Sequence, residues 1–186
     1  HGILHSFPTR RSSDLRRFGR ETGGLAALEF AILAPMMVFL LFGSIELIDM
    51  VITNRRVQNV TASVADVISR DTSVSDDEIT GIWRATEVLM YPESVSTLRT
   101  RVSSISIIDE STARVVWSEG HGLVARVTDS TVELPDQMMR PGTSIIFAET
   151  EFDYVPAIGV LSTSNMRMSH DAYHRSRFID PIPRDN

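Results

Sequence analysis

From Gly23 to Ile45 the chain carries one charge, Glu29, and from Phe30 to Ile45 it carries none. As a helix rising about 1.5 Å per residue this stretch extends roughly 34 Å, enough for a hydrocarbon core of about 30 Å. The pattern predicts one membrane span. A buried core helix and a cleaved secretory signal are the alternatives, and the run reaches Glu46 without the A-x-A pattern of a signal cut site. Beyond it, Ile45, Ile48, Ile52, Val57, Val60, Val64, Val67 and Ile68 recur mostly every three or four residues, with Asp49, Arg55, Arg56, Gln58, Asn59 and Asp66 between them. That spacing predicts an amphipathic stalk continuing the same helix, 25–70 in all, with its apolar stripe against a head. Pro35 removes one backbone hydrogen bond within the span, which predicts a kink.

Further along, Asp76-Asp-Glu-Ile79 reads as an N-cap with an acidic first turn. Ile79, Ile82, Trp83, Thr86, Leu89 and Met90 then line one helical face until Tyr91-Pro92 stops it. From Thr97 the period becomes two. Leu98–Ile108 reads as a strand with one irregularity, and Asp109-Glu-Ser111 turns it into a second strand at Ala113–Ser118. Leu123–Thr128, Ser144–Tyr154 and Met166–Phe178 are predicted strands as well. Two helices followed by antiparallel strands define an α+β class: a long N-terminal transmembrane and stalk helix, a second amphipathic helix and an antiparallel β-sheet head. The expected organisation is a basic leader at 1–24, a span at 25–45, a helical stalk at 46–70 and an extracytoplasmic head at 71–186.

Charge sharpens this division. Residues 1–24 hold five Arg against two acids, whereas residues 46–186 hold 13 Arg against 21 acids. Basic residues before the span, and none after it until Arg55, put the N-terminus in the cytoplasm and the head across the membrane. The net charge of −6 argues against a nucleic-acid partner. Cysteine and lysine are both absent, which removes disulfides, thiolate metal sites, cysteine nucleophiles and lysine-based catalysis. The chain opens at His1, and His5-Ser-Phe-Pro-Thr-Arg-Arg-Ser-Ser-Asp-Leu15 resembles translated sequencing-adapter sequence, so residues 1–15 are expected to be foreign. Arg16, Arg17 and Arg20 still supply the basic flank without them.

A carboxylate within an apolar span is costly and marks function. Gly24-Leu-Ala-Ala-Leu-Glu29-Phe30, after an Arg-rich stretch and before an apolar run, resembles the cleavage motif of type IV prepilins. With Leu28-Glu-Phe-Ala-Ile-Leu-Ala-Pro35 and the later Tyr154-Val-Pro156, the wider pattern resembles the TadE/TadG-like family of tight-adherence (Flp-type) pilus assembly proteins. The likeness is clearest over residues 16–70. It implies that a prepilin peptidase cuts between Gly24 and Leu25, and that the new α-amino group of Leu25 pairs with Glu29 of a neighbouring subunit. Glu29 and Phe30 would thus be assembly residues. It also implies a bacterial inner-membrane location, other pilin-like subunits as partners, and a short form, since the metal-ion motif of longer TadG proteins is missing. The alternative is an unprocessed single-pass scaffold or sensor, with Glu29 reaching the cytoplasmic interface.

The remaining chemistry-bearing residues read as structural. His170 and His174 lie four apart in a segment read as strand or loop, where that spacing does not chelate. His121 sits between two glycines as a turn residue, and Asp76, Asp77 and Glu78 lack the alternating spacing of a calcium loop. Trp83 and Trp117 read as packing between helix and sheet. No constellation supports catalysis, a cofactor or a small-molecule substrate, and the expectation is a protein that is not an enzyme.

Overall fold

The computed structural model describes residues 22–185, with side chains from Gly24 onward. The adapter-like segment and the five leader arginines lie outside the described residues. The chain divides into two compact units, His1–Ile45 and Glu46–Asn186.

Helix α1 (Thr22–Ser69) is one continuous element, with Pro35 inside it. In the first unit its side chains are exposed almost throughout, from Leu25 to Leu41. Among the described residues, α1 is the one helix long and apolar enough to cross a membrane, with a window of mean hydropathy 2.3.

In the second unit α1 is followed by α2 (Asp76–Met90) and by strands β1 (Arg99–Ile107), β2 (Ala113–His121), β3 (Thr143–Tyr154) and β4 (Met166–Arg175). The strands form one antiparallel sheet in the order β2-β1-β3-β4. The fold class is α+β, as the change of period predicts.

Helix α2 begins at a capping box. The Ser75 hydroxyl accepts the Glu78 amide, and the Glu78 carboxylate accepts the Ser75 amide. The cap is therefore Ser75, one residue before the predicted acidic turn. Ile79, Ile82, Thr86 and Met90 are buried, whereas Leu89 faces outward. Ile79, Ile82 and Met90 join Val57, Val60, Val64, Ala65 and Ile68 of α1 in a core on one face of the sheet, built on Val102, Trp117, Ile146, Ala148, Phe152 and Met168. Ile105, Ile107, Val115, Ile145 and Phe147 form a second cluster, closed by Val132, Leu134 and Met138 from the β2–β3 connection. Strand alternation places these residues on the opposite face. The predicted irregularity of β1 is this change of apolar face, from Val102 to Ile105, which β1 makes in unbroken register with β3. The bulge lies on β2: the β1–β2 register shifts between Ser104 and Ile105 and leaves Val116 as the extra residue.

Three expectations are corrected. The first half of the stalk stripe points the other way: Ile48 and Ile52 are 59% and 44% exposed, and Glu46 and Thr53 are buried in their place. The reason is local pairing, because Glu46, Asp49 and Thr53 each bond to the head. Leu123–Thr128 is not a strand. It crosses the sheet face, where Arg101 donates to the Val124 carbonyl and Arg126 reaches Glu149 of β3, and the chain reaches the outer edge of β2 only afterwards, at Asp129–Val132. The last strand stops at Arg175, and the tail after it turns back into the core. There Ile182 is fully buried, its carbonyl accepts Trp117 Nε1–H at 2.8 Å, and Val74 exchanges backbone bonds with Pro183 and Asp185.

Candidate assembly interface

Gly24, Leu25, Glu29 and Phe30 all lie in the first turns of α1 and are all exposed. A Cβ added at Gly24 would meet nothing within 4 Å. No packing inside the described chain requires glycine here, although glycine within a helix costs about 1 kcal/mol relative to alanine. Glu29 has no ion pair among the described residues. Farther along, Phe30, Ala34, Met37, Val38 and Leu41 line a shallow apolar groove on one flank of α1. Their spacing, with small Ala34 between larger residues, suits close approach of another helix.

The head presents two further surfaces. A groove of about 390 Å³ runs between α1 and α2, lined by Val64, Val67, Gly81, Ile82, Ala85 and Leu89, with Asp71 and Glu78 among its polar residues. Burial, reinforced by the nearby Glu78 charge, raises the Asp71 carboxyl above its usual range. The far face of the sheet carries an ion-pair ladder. Arg101 grips Glu149 through Nε and Nη2 at 2.7 and 2.6 Å, and Arg126 Nη2 adds a third bond at 2.8 Å. Arg99 and Arg167 share Asp153 beside them at 3.0 and 2.9 Å. These groups are mostly paired with one another, so the ladder orders the face without offering a charged docking site.

The three histidines among the described residues are occupied within the fold. His170 and His174 both sit on β4: His170 Nε2 lies 2.9 Å from Asn54 Oδ1, and His174 Nδ1 lies 3.6 Å from Asp66 Oδ1. His121 stacks on Trp83 with ring centroids 5.7 Å apart. No group of three metal-ligating side chains converges among the described residues. Asp76 pairs with Arg184, a contact that brings the tail onto the start of α2.

Glu46 is the residue that sequence reasoning passed over. Its side chain is buried, and its carboxylate accepts the backbone amides of Val160 at 2.7 Å, Leu161 at 3.2 Å and Ser162 at 3.4 Å. One turn on, Asp49 accepts the Tyr154 hydroxyl at 2.8 Å. Burial first, and then this bond, raise the Tyr154 phenol well above its usual range. The signal was a pair of acids three apart at the exit of an apolar run, of which the stripe pattern placed Asp49 among the polar positions and left Glu46 unassigned.

Comparison with known proteins matches residues 24–66 to the family described as TadE-like protein. The match covers the apolar helix and contains the Gly24-to-Pro35 motif, and this similarity supports involvement in a tight-adherence pilus system. No curated protein and no solved structure matches the chain.

Proposed function

We propose that this chain is a membrane-anchored, pseudopilin-like component of a tight-adherence (Flp-type) pilus assembly system, working through subunit packing rather than catalysis. One observation carries the reading: the exposed, almost uncharged half of α1 bears Gly24-Leu25 and Glu29-Phe30 within the TadE-like domain. An isolated helix cannot satisfy Glu29, but a neighbouring subunit's cationic N-terminus at Leu25 offsets the burial of its charge. The unexplained Gly24 fits recognition by a prepilin peptidase. The basic leader stays in the bacterial cytoplasm and the acidic head lies beyond the inner membrane, where it meets other pilin-like subunits.

Mass spectrometry of the membrane-extracted protein tests this. A peptide beginning at Leu25 is expected, and Gly24→Trp should abolish it. An intact Arg20-to-Phe30 junction in cells with an active peptidase would leave an unprocessed single-pass scaffold as the function.

A further inference from the structure

The loop joining β3 to β4, Val155-Pro-Ala-Ile-Gly-Val-Leu-Ser-Thr-Ser-Asn165, contains no charge, within a unit where 34 residues are charged. At its neck Asp153 and Arg167 pair with each other at 2.9 Å. Its apolar side chains are not used to build the core: Val155, Ile158 and Leu161 are 60%, 47% and 45% exposed. Leu47, Ile48, Val51 and Ile52 of α1 are exposed as well. What holds this loop is Glu46, through the three backbone amides of Val160, Leu161 and Ser162. Glu46 is also the first residue after the uncharged run that ends at Ile45.

We propose that this loop, with the outward face of α1 over Leu47–Ile52, is a lipid-contacting collar that seats the head on the bilayer. The inference rests on the reading of α1 as a membrane span. The headgroup layer on each side of the hydrocarbon is only about 5–8 Å deep. A loop bonded to the residue at the end of the span lies within that layer, where exposed Ile, Leu and Val side chains reach the boundary with the acyl chains. The Glu46 carboxylate accounts for the loop's unpaired backbone. By accepting three amides in a region poor in water, it removes the cost of orphaned donors that would otherwise keep the loop out of the interface. Its own charge is screened from lipid in return, because those amides surround it. The inversion of the stalk stripe fits as well, since Ile48 and Ile52 meet lipid while the acids face inward. A second copy of the chain would also cover apolar side chains. Continuity with the span favours lipid.

The chain has no cysteine, so single-cysteine variants of the full protein in phosphatidylcholine vesicles can each carry one spin label. Met37→Cys reports the span, Ile158→Cys the loop, and Glu110→Cys the β1–β2 turn at the opposite end of the sheet. Collision with oxygen, which concentrates in lipid, is compared with collision with a water-soluble nickel chelate. Ile158→Cys is expected to favour oxygen severalfold, as Met37→Cys does, while Glu110→Cys favours the chelate. Adding Glu46→Ala should move the Ile158→Cys label toward the chelate and leave Met37→Cys unchanged. A loop label that behaves like Glu110→Cys while Met37→Cys stays in lipid overturns the collar and leaves the span standing. If Met37→Cys also favours the chelate, span and collar fall together. Shielding of Ile158→Cys from both reagents, with dipolar broadening between labels, overturns lipid contact in favour of a chain–chain interface.

Discussion

The two halves of α1 are made from similar amounts of Val, Ile and Leu, yet they use them oppositely. Before Ile45 the apolar side chains are exposed on every flank, as in Leu33, Met37 and Leu40. After Thr53, with Val67 the half-exposed exception, they fall on one stripe, Val57, Val60, Val64 and Ile68, which is buried against α2 and the sheet. Hydrophobicity alone does not separate a lipid-facing helix from a core helix. The distribution of polar residues around the axis does. Arg55, Gln58 and Asn59 give the second half its outer face, whereas the first half, from Gly23 on, has only Glu29 and Ser44 among apolar residues and glycines.

This contrast is broken most directly by one truncation in each half. Ile68→Ala removes a fully buried side chain from the helix–sheet core and is expected to cost about 2–5 kcal/mol. Leu33→Ala touches no core residue and should shift head unfolding by less than about 0.5 kcal/mol. Urea unfolding in detergent micelles, followed by fluorescence, reads the head specifically, since both tryptophans, Trp83 and Trp117, lie in it. Comparable shifts from the two variants would show that the first half is packed on protein after all.

A smaller effect is expected on the far face of the sheet. Glu149 is only 15% exposed and joins two guanidinium groups, so Glu149→Ala leaves Arg101 and Arg126 partly buried without their partner. That should cost about 1–3 kcal/mol in the same assay. Arg167, 59% exposed at the ladder's edge, should cost about 0.5 kcal/mol or less when changed to Ala. Equal losses would mean that the ladder acts as one network rather than as a protected centre with a solvated rim.

How far the sequence foretells this fold depends on whether a signal is local. The end of α1, the length of α2 and the β1–β2 hairpin all follow from spacing and turn residues within a few positions. The Gly24–Pro35 motif is equally local, and the TadE-like match covers it. What escaped were pairings across long separations. Glu46 meets residues 114 to 116 positions away, Asp49 meets Tyr154, and Trp117 meets Ile182. Each turns a segment around: the acids pull the first turns of the stalk inside out, and the tail becomes part of the core. Leu123–Thr128 failed for the same reason, because Arg126 pairs with the distant Glu149 and carries this segment over the face, leaving the outer edge of β2 to Asp129–Val132.

The weakest of these contrasts lies at the start of α2, where a helix held by the core still depends on its cap. Ser75→Ala removes the hydroxyl that accepts the Glu78 amide and should cost about 1 kcal/mol. The same box has a pH signature. The Ser75 backbone amide, and after it the Ser75 hydroxyl, hold the Glu78 carboxyl below its ordinary value of 4.5. Because the folded value lies below the unfolded one, this stabilisation is complete above pH 4.5 and is lost as the pH falls through the lower, folded value. Arg184 acts in the same direction, and Asp185 opposes it. Glu78→Gln keeps an acceptor for the Ser75 amide but does not titrate. Its urea midpoint should therefore fall less steeply than the parent's below pH 4.5, and parallel curves for the two proteins would show that the box contributes geometry without charge.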